Sequence, residues 1–237
     1  MAGWLKFRPR LVPTLFTVPA ILLMLGLATW QMERLVWKRA LIAERAGRQA
    51  MAEVVLPSTI DDPLAWVMRP VRVQGAFLHE HELFVAARSQ RGNAGYQIVT
   101  PIRRADGSVV LIDRGWVPLD RKLPATRAEG QIAGTVEVAG IVRPIDKPGW
   151  AMPDNRPAEN FWFYVDVPAM GRALGLDRVA TVVVDAGPAP NPGGFPIGGQ
   201  TRTEIRNEHL QYAITWYALA ITLAVIYVIY HRRGGPA

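Results

Sequence analysis

The sequence predicts an α+β membrane protein in which two transmembrane helices bracket one mainly antiparallel, barrel- or sandwich-like β domain outside the membrane. Three observations carry this. Residues 11–30 contain no charged side chain, and neither do residues 210–230; each run is close to the ~20 apolar residues that a helix needs to cross a bilayer. Between them, from about Val54, the chain changes to short runs of β-branched and aromatic residues punctuated by Gly and Pro.

The first apolar run is preceded by Lys6, Arg8 and Arg10 and reads as a membrane helix rather than a cleaved signal peptide. Its apolar core is too long for a leader and no clean small-x-small cleavage site follows. Pro13 and Pro19 are tolerable there, because neighbouring helices or shifted hydrogen bonding can satisfy the freed carbonyls. Residues 31–53 keep a helical composition of Ala, Leu, Glu and Arg, with Arg34, Lys38, Arg39 and Arg45 interleaved with Leu35, Trp37, Leu41 and Ile42. They read as an amphipathic stalk continuing the first helix.

Strands are expected at 70–77, 82–87, 96–103, 108–117, 135–143, 161–165 and 181–185, with one short helix at 167–176. Asp106-Gly107 is a hairpin turn between two of these strands. Residues 144–158 and 187–200 are loops rich in Pro and Gly, and there is no internal repeat. The β domain extends to residue 208, the second membrane helix covers 209–230, and 231–237 form a short tail.

The chain of 237 residues carries a net charge of +7, and the location of that charge decides its meaning. All 20 acidic residues lie between Gln31 and Glu208, whereas Lys6, Arg8, Arg10, Arg232 and Arg233 flank the apolar runs with no acid beside them. The excess is membrane-flank charge of the kind that marks cytoplasmic ends, and no basic stripe for nucleic acid remains. Basic residues in the stalk outnumber those at the N-terminus, which argues for the opposite orientation. Segments beyond about 60 residues translocate largely regardless of charge, so the purely basic ends decide it. The absence of cysteine excludes disulfides, Cys-built zinc sites and a Cys nucleophile.

His209 stands where the chain passes from water into hydrocarbon, directly after Arg206-Asn207-Glu208. An ionisable group at such a place is costly without a partner and points to function, here to a lipophilic, metal-bearing ligand. His79 and His81, in the run His-Glu-His-Glu, would share one face of a strand and so fit copper. Met and Cys partners are absent nearby, and a polar strand edge or turn gives the same letters. Catalysis has no constellation: Ser58, Ser89 and Ser108 lie in no nucleophile elbow, and no phosphate loop opens a helix. Asp61-Asp62 before Pro63 fits a helix N-terminus. Gly193-Gly194 and Gly198-Gly199 read as turn or close-packing glycines. The chain reads as a non-enzyme.

Several stretches together carry a known pattern. They are Leu25-Gly26, Trp30-Gln31, Arg34, Trp37-Lys38, Arg69-Pro70, Gly75 with Phe77, Gly95-Tyr96, Thr100-Pro101 and Arg114-Gly115-Trp116-Val117-Pro118. The C-terminal block adds Gly193-Gly194, Pro196, Gly198-Gly199-Gln200-Thr201, Asn207-Glu208-His209-Leu210-Gln211-Tyr212 and Thr215-Trp216-Tyr217. Through them nearly the whole chain resembles the surfeit-locus (Shy-type) family of cytochrome c oxidase assembly proteins.

The resemblance implies two membrane spans with the domain in the periplasm or intermembrane space, a role in building the heme sites of oxidase subunit I, and heme a as ligand. Only about ten residues precede the first span, which points to a bacterial plasma (inner) membrane with residues 54–208 periplasmic and both ends, 1–10 and 231–237, cytoplasmic. Oxidase subunit I is then the expected partner, with a heme a synthase and the bilayer itself beside it.

Under this reading His209 binds the heme iron, Trp216 packs against the porphyrin, and Arg206 and Arg202 pair with its propionates. His209, Ala213, Trp216, Ala220 and Ala224 share a helix face, whose small residues either leave a groove for the ligand or let the two helices approach closely. His231 is separated from His209 by 22 helical residues, or about 33 Å, and cannot share its iron; it would anchor the cytoplasmic end beside Arg232 and Arg233. The alternative from a different class is a structural chaperone that steadies a subunit I intermediate without touching heme. Among the aromatics, Trp116 is expected in the core, whereas Trp150 fits a core or a docking patch equally.

Overall fold

The computed structural model describes residues 7, 9–144, 148–201 and 205–232. It divides into two units: a helical one built from the two ends of the chain, up to Glu44 and from Glu204, and a β domain from Arg45 to Thr203.

The helical unit holds most of α1 (Leu11–Gln49) and all of α4 (His209–Arg232). Both are long and apolar enough to cross a membrane. At ~1.5 Å per residue the 39 residues of α1 extend about 58 Å, well beyond a ~30 Å hydrocarbon core. One helix therefore covers the stretch expected as a span and most of the stretch expected as a stalk. The helices run antiparallel, because contacts that climb α1 descend α4. The Arg10 guanidinium donates to the Tyr230 hydroxyl at 3.1 Å, Thr14 and Tyr227 share a hydroxyl hydrogen bond at 2.6 Å, and Gln31 meets His209 at 2.6 Å.

Thr14 and Gln31 are 17 residues apart on α1, about 26 Å along the axis, so these two polar clamps frame a hydrocarbon-thick stretch. Inside it the buried positions are small or aliphatic: Ala28 on α1, and Ala213 and Ala220 on α4. Small side chains let helix backbones approach where no hydrophobic force drives association. The larger residues, among them Phe16, Leu22, Leu23, Ile214, Ile221 and Val225, point outward, as a lipid-facing surface requires.

The β domain contains β1 (Val54–Val55), α2 (Pro63–Trp66), β2 (Pro70–Phe77), β3 (Leu83–Gln90), β4 (Asn93–Arg103), β5 (Val109–Pro118), β6 (Thr135–Val142), β7 (Phe161–Trp162), α3 (Val167–Ala173) and β8 (Val179–Ala186). The strands lie in the order β1-β2-β6-β8-β5-β4-β3-β7. An additional pairing of β2 with β4, Ala76 opposite Arg103 and Phe77 opposite Ile102, closes β2, β6, β8, β5 and β4 into a ring. The domain is thus a small barrel extended by the β3–β4 hairpin. Most pairings are antiparallel, as expected, but β1–β2, β5–β8 and β3–β7 are parallel, so the sheet is mixed.

The parallel pair has a visible cause. On β5, Val110 and Ile112 belong to one core cluster and Leu111 to the other; on β8, Val182 and Val184 alternate with Val183 in the same way. Both faces of these strands are covered, one by Leu56, Val71, Val73 and Val142, the other by Trp162, Val165 and Met170 of α3. A strand buried on both faces reads as a continuous apolar run, which is what residues 109–112 are.

The turn signals fall where expected. Asp106 accepts from the Ser108 backbone at 2.9 Å between β4 and β5, and the Asp62 side chain caps α2 by accepting from Leu64 N at 3.0 Å, with Pro63 at the first helical position. Gly115 has φ +117°, and a Cβ there would fall 1.9 Å from the Ile197 carbonyl oxygen. Only glycine lets the 192–200 loop bond to the end of β5, where Trp116 N donates to Ile197 O at 2.9 Å and Ile197 N to Trp116 O at 2.8 Å. Trp116 lies in the core, 6% exposed, whereas Trp150 is fully exposed.

Candidate functional site

His209 is the first residue of α4 and is half-buried. Its Nδ1 lies 2.6 Å from Oε1 of Gln31 on α1, and its ring meets Trp30 edge-on, with centroids 6.5 Å apart and planes at 88°. An amide oxygen only accepts, so in the neutral imidazole Nδ1 carries the proton and Nε2 the lone pair. Nε2 makes no hydrogen bond among the described residues. A histidine whose second nitrogen is held by an acceptor is the arrangement found in metal-ligating imidazoles, because that hydrogen bond fixes the tautomer and raises ligand basicity.

The ring borders a pocket of about 320 Å³ lined by Lys38, Arg206, Glu208, His209 and Tyr212. Lys38 and Arg206 against Glu208 leave its rim with one net positive charge. Arg206 is exposed and already donates to Glu208 at 2.7 Å, an exchangeable surface pair of small net worth.

Of the predicted site residues, His209 and Arg206 meet at this pocket. Trp216 does not line it: seven residues farther along α4, it lies about 10 Å down the axis and is half-buried. Arg202 lies outside the described residues. Ala213 and Ala220 are 1% and 2% exposed, so that part of the small-residue face is taken up by helix packing and does not stand open. Gln31, Trp30, Lys38 and Tyr212 were not assigned to the site from sequence; the only signal for them was their presence in the motif stretches Trp30-Gln31, Trp37-Lys38 and His209–Tyr212.

The remaining histidines take other roles. His231, expected to anchor the end of α4 beside Arg232 and Arg233, is 2% exposed. It bonds the Tyr227 carbonyl through Nδ1 at 2.8 Å and packs against the rings of Phe7, Tyr227 and Tyr230; Arg233 lies outside the described residues. His79 and His81 sit in a 3-10 turn, His79–His81, and not on a strand, so the alternation that would pair them for copper does not apply. His79 Nε2 is bonded to the Ile132 carbonyl at 2.9 Å. Among the described residues no group of three or more His, Asp or Glu is placed to hold a metal ion.

Two buried charge clusters lie inside the β domain. Arg127 forks onto both carboxylate oxygens of Glu82, and Arg114 stands 3.5 Å from the same carboxylate and over the Phe77 ring at 4.7 Å. Burial pushes the Arg114 guanidinium down to about 10, against the pull of Glu82 and with the push of Arg127. In the second cluster Arg143 bridges Asp113 and Asp185, and Thr201 donates to Asp185 at 2.8 Å. Both tie distant strands and loops together. A cavity of about 370 Å³ lined by Pro144, Tyr164, Val167, Thr181 and Val183 also lies in this domain, and no predicted site residue borders it.

The chain matches the SURF1 family over residues 18–221, from the first membrane helix into α4. It belongs to the SURF1 family. The SURF1-like protein of Monosiga brevicollis is 40% identical over 233 residues, covering 93% of this chain and 87% of that protein. Surfeit locus protein 1 of Homo sapiens is 37% identical over 227 residues, covering 89% and 75%, and that of Mus musculus is 36% identical over 226 residues, covering 89% and 73%. The family match takes in every residue bordering the His209 pocket.

Proposed function

We propose that this protein is a cytochrome c oxidase assembly factor that binds heme a at the outer membrane face through His209 and assists its insertion into subunit I. The family supplies the link to oxidase assembly. The observation that carries the ligand is the imidazole itself: Nδ1 is held by Gln31 while Nε2 is left with its lone pair beside a cationic pocket. That nitrogen fits an iron ligand, and Lys38 and Arg206 fit the two carboxylates of a heme. Trp30 and Tyr212 offer aromatic surface at the same level, with Trp216 and Arg202 the further candidates along the ligand.

A pocket of this size encloses only part of a tetrapyrrole, which suits a ligand held for transfer. When bound, the iron supplies a Lewis-acid centre for Nε2. The chain's own residues orient the ring, pair charge and keep the rest of the ligand at the lipid boundary. In this reading the protein is no enzyme. It sits in a bacterial plasma membrane with the β domain in the periplasm, receives heme a from its synthase and delivers it to subunit I.

The second reading, a chaperone that steadies a subunit I intermediate without heme, is favoured by the burial of Ala213 and Ala220, which closes part of the face that would otherwise receive the ligand. Expressing the full chain in cells that make heme a but lack oxidase subunits separates the two. Heme a that co-purifies in stoichiometric amount is the expected result, and a heme-free protein would leave the chaperone.

A further inference from the structure

The stalk of α1 presents a cation held between two indoles. Cζ of Arg34 lies 5.8 Å from the ring centroid of Trp30 and 5.1 Å from that of Trp37, and both indoles are about half exposed, at 48% and 56%. Trp30, Arg34, Trp37 and Leu41 follow one another at spacings of three and four residues, with Lys38 four residues after Arg34, and share a helix face. That face carries two cations, and the one carboxylate at its edge, Glu33, forms no ion pair with either among the described residues. Among the described residues Arg34 makes no ion pair or hydrogen bond through its side chain, so its guanidinium fork is solvated yet held in direction by the two rings.

The position of this ladder along the membrane normal follows from the helix pair. Thr14 and Gln31, clamped to Tyr227 and His209, bound a stretch of about 26 Å, close to the ~30 Å of a bilayer's hydrocarbon. Arg34 lies three residues beyond Gln31, about 4.5 Å farther out. The headgroup layer occupies roughly the next 5–8 Å. A planar guanidinium at that depth meets phosphate, which it can contact through two parallel N–H bonds, while indoles at the same level seat against glycerol and upper acyl chain.

We propose that Trp30, Arg34 and Trp37, with Lys38 one turn on, form a binding site for the phosphate of an anionic phospholipid. The site rests on the helix pair crossing a membrane; it borders the His209 pocket through Trp30 and Lys38, whereas Arg34 and Trp37 belong to it alone. An ordinary aromatic belt would hold zwitterionic and anionic lipids alike. A cation fixed between two rings and making no ion pair among the described residues favours the lipid with net negative charge.

Native mass spectrometry of the full chain in non-ionic detergent, titrated in parallel with phosphatidylglycerol and phosphatidylcholine, tests this. The intact protein should retain one phosphatidylglycerol with at least about fivefold preference, the scale of one basic residue near an anionic surface. Arg34→Gln should erase the preference, and Arg39→Gln, on the opposite face, should leave it. Thermal unfolding of each variant checks that the fold is intact, and Arg34→Lys, which keeps the charge without the planar fork, should retain only part of the preference. Equal retention of both lipids, an unchanged preference in Arg34→Gln, or displacement of the lipid by inorganic phosphate would overturn the proposal. A site made for an acidic protein segment would give the first of these.

Discussion

The Gln31 amide oxygen and the His209 Nδ1, from residues 178 apart in the chain, face one another at 2.6 Å across two helices. This one bond ties the two helices together at the start of α4 and, in the neutral imidazole, leaves the lone pair on the other nitrogen. Orientation of a ligating histidine by an acceptor behind it typically contributes 10–100-fold to affinity for the metal.

Gln31→Leu should therefore weaken heme binding by about 10–100-fold, read from the Soret band on titration of the full chain with heme. Gln31→Glu, whose carboxylate also accepts from Nδ1, should recover most of that loss. Equal weakening in both variants would mean that Gln31 acts through the fold and not through the ring.

Glu82 is 4% exposed and balances two guanidiniums, so Glu82→Gln should destabilise the protein by about 3–5 kcal/mol, because it leaves uncompensated charge in the interior. The exposed pair Arg156–Glu159 gives the contrast: Glu159→Gln should change stability by less than about 1 kcal/mol. Denaturant unfolding followed by fluorescence of the buried Trp162 measures both.

The Asp106 carboxyl is held below its ordinary 3.8 by the hydrogen bonds from the Ser108 side chain and backbone. A carboxylate with a depressed folded value binds fewer protons in the native state, so its contribution is complete above 3.8 and fades as the pH falls through the lower folded value. Ser108→Ala should lower the unfolding midpoint at pH 5 more than at pH 2. An equal loss at both would assign the effect of Ser108 to packing.

The strands are legible in the sequence because alternation and turn chemistry are local. Asp106-Gly107 marks its hairpin, Asp62-Pro63 marks its helix start, and the uncharged runs mark the membrane helices. The two-residue strand Val54–Val55 leaves too little pattern to read, the strand expected at 161–165 shortens to Phe161–Trp162 and pairs in parallel, and the β2–β4 pairing that closes the barrel joins residues with no mutual signal. His79 and His81 obey strand alternation on paper, but Leu78 N bonds the Pro101 carbonyl and His81 N the Leu78 carbonyl, which turns the chain there. At the site, the water–lipid boundary exposes His209 from sequence alone. Gln31 and Lys38 reach it only by antiparallel packing of α1 on α4, and Glu82, Arg114 and Arg127 converge from three separate segments. Contacts of that range carry no periodic signal.

The central claim is that the free nitrogen of His209 holds the iron of heme a, and the most direct measurement is the heme content and Soret spectrum of His209→Ala, purified from cells that make heme a and lack oxidase subunits, beside the unaltered chain. The account predicts loss of most of the bound heme with the β domain still folded, as judged by its unfolding transition. Retention of the same amount of heme with the same spectrum would contradict it and leave a scaffold for subunit I in its place.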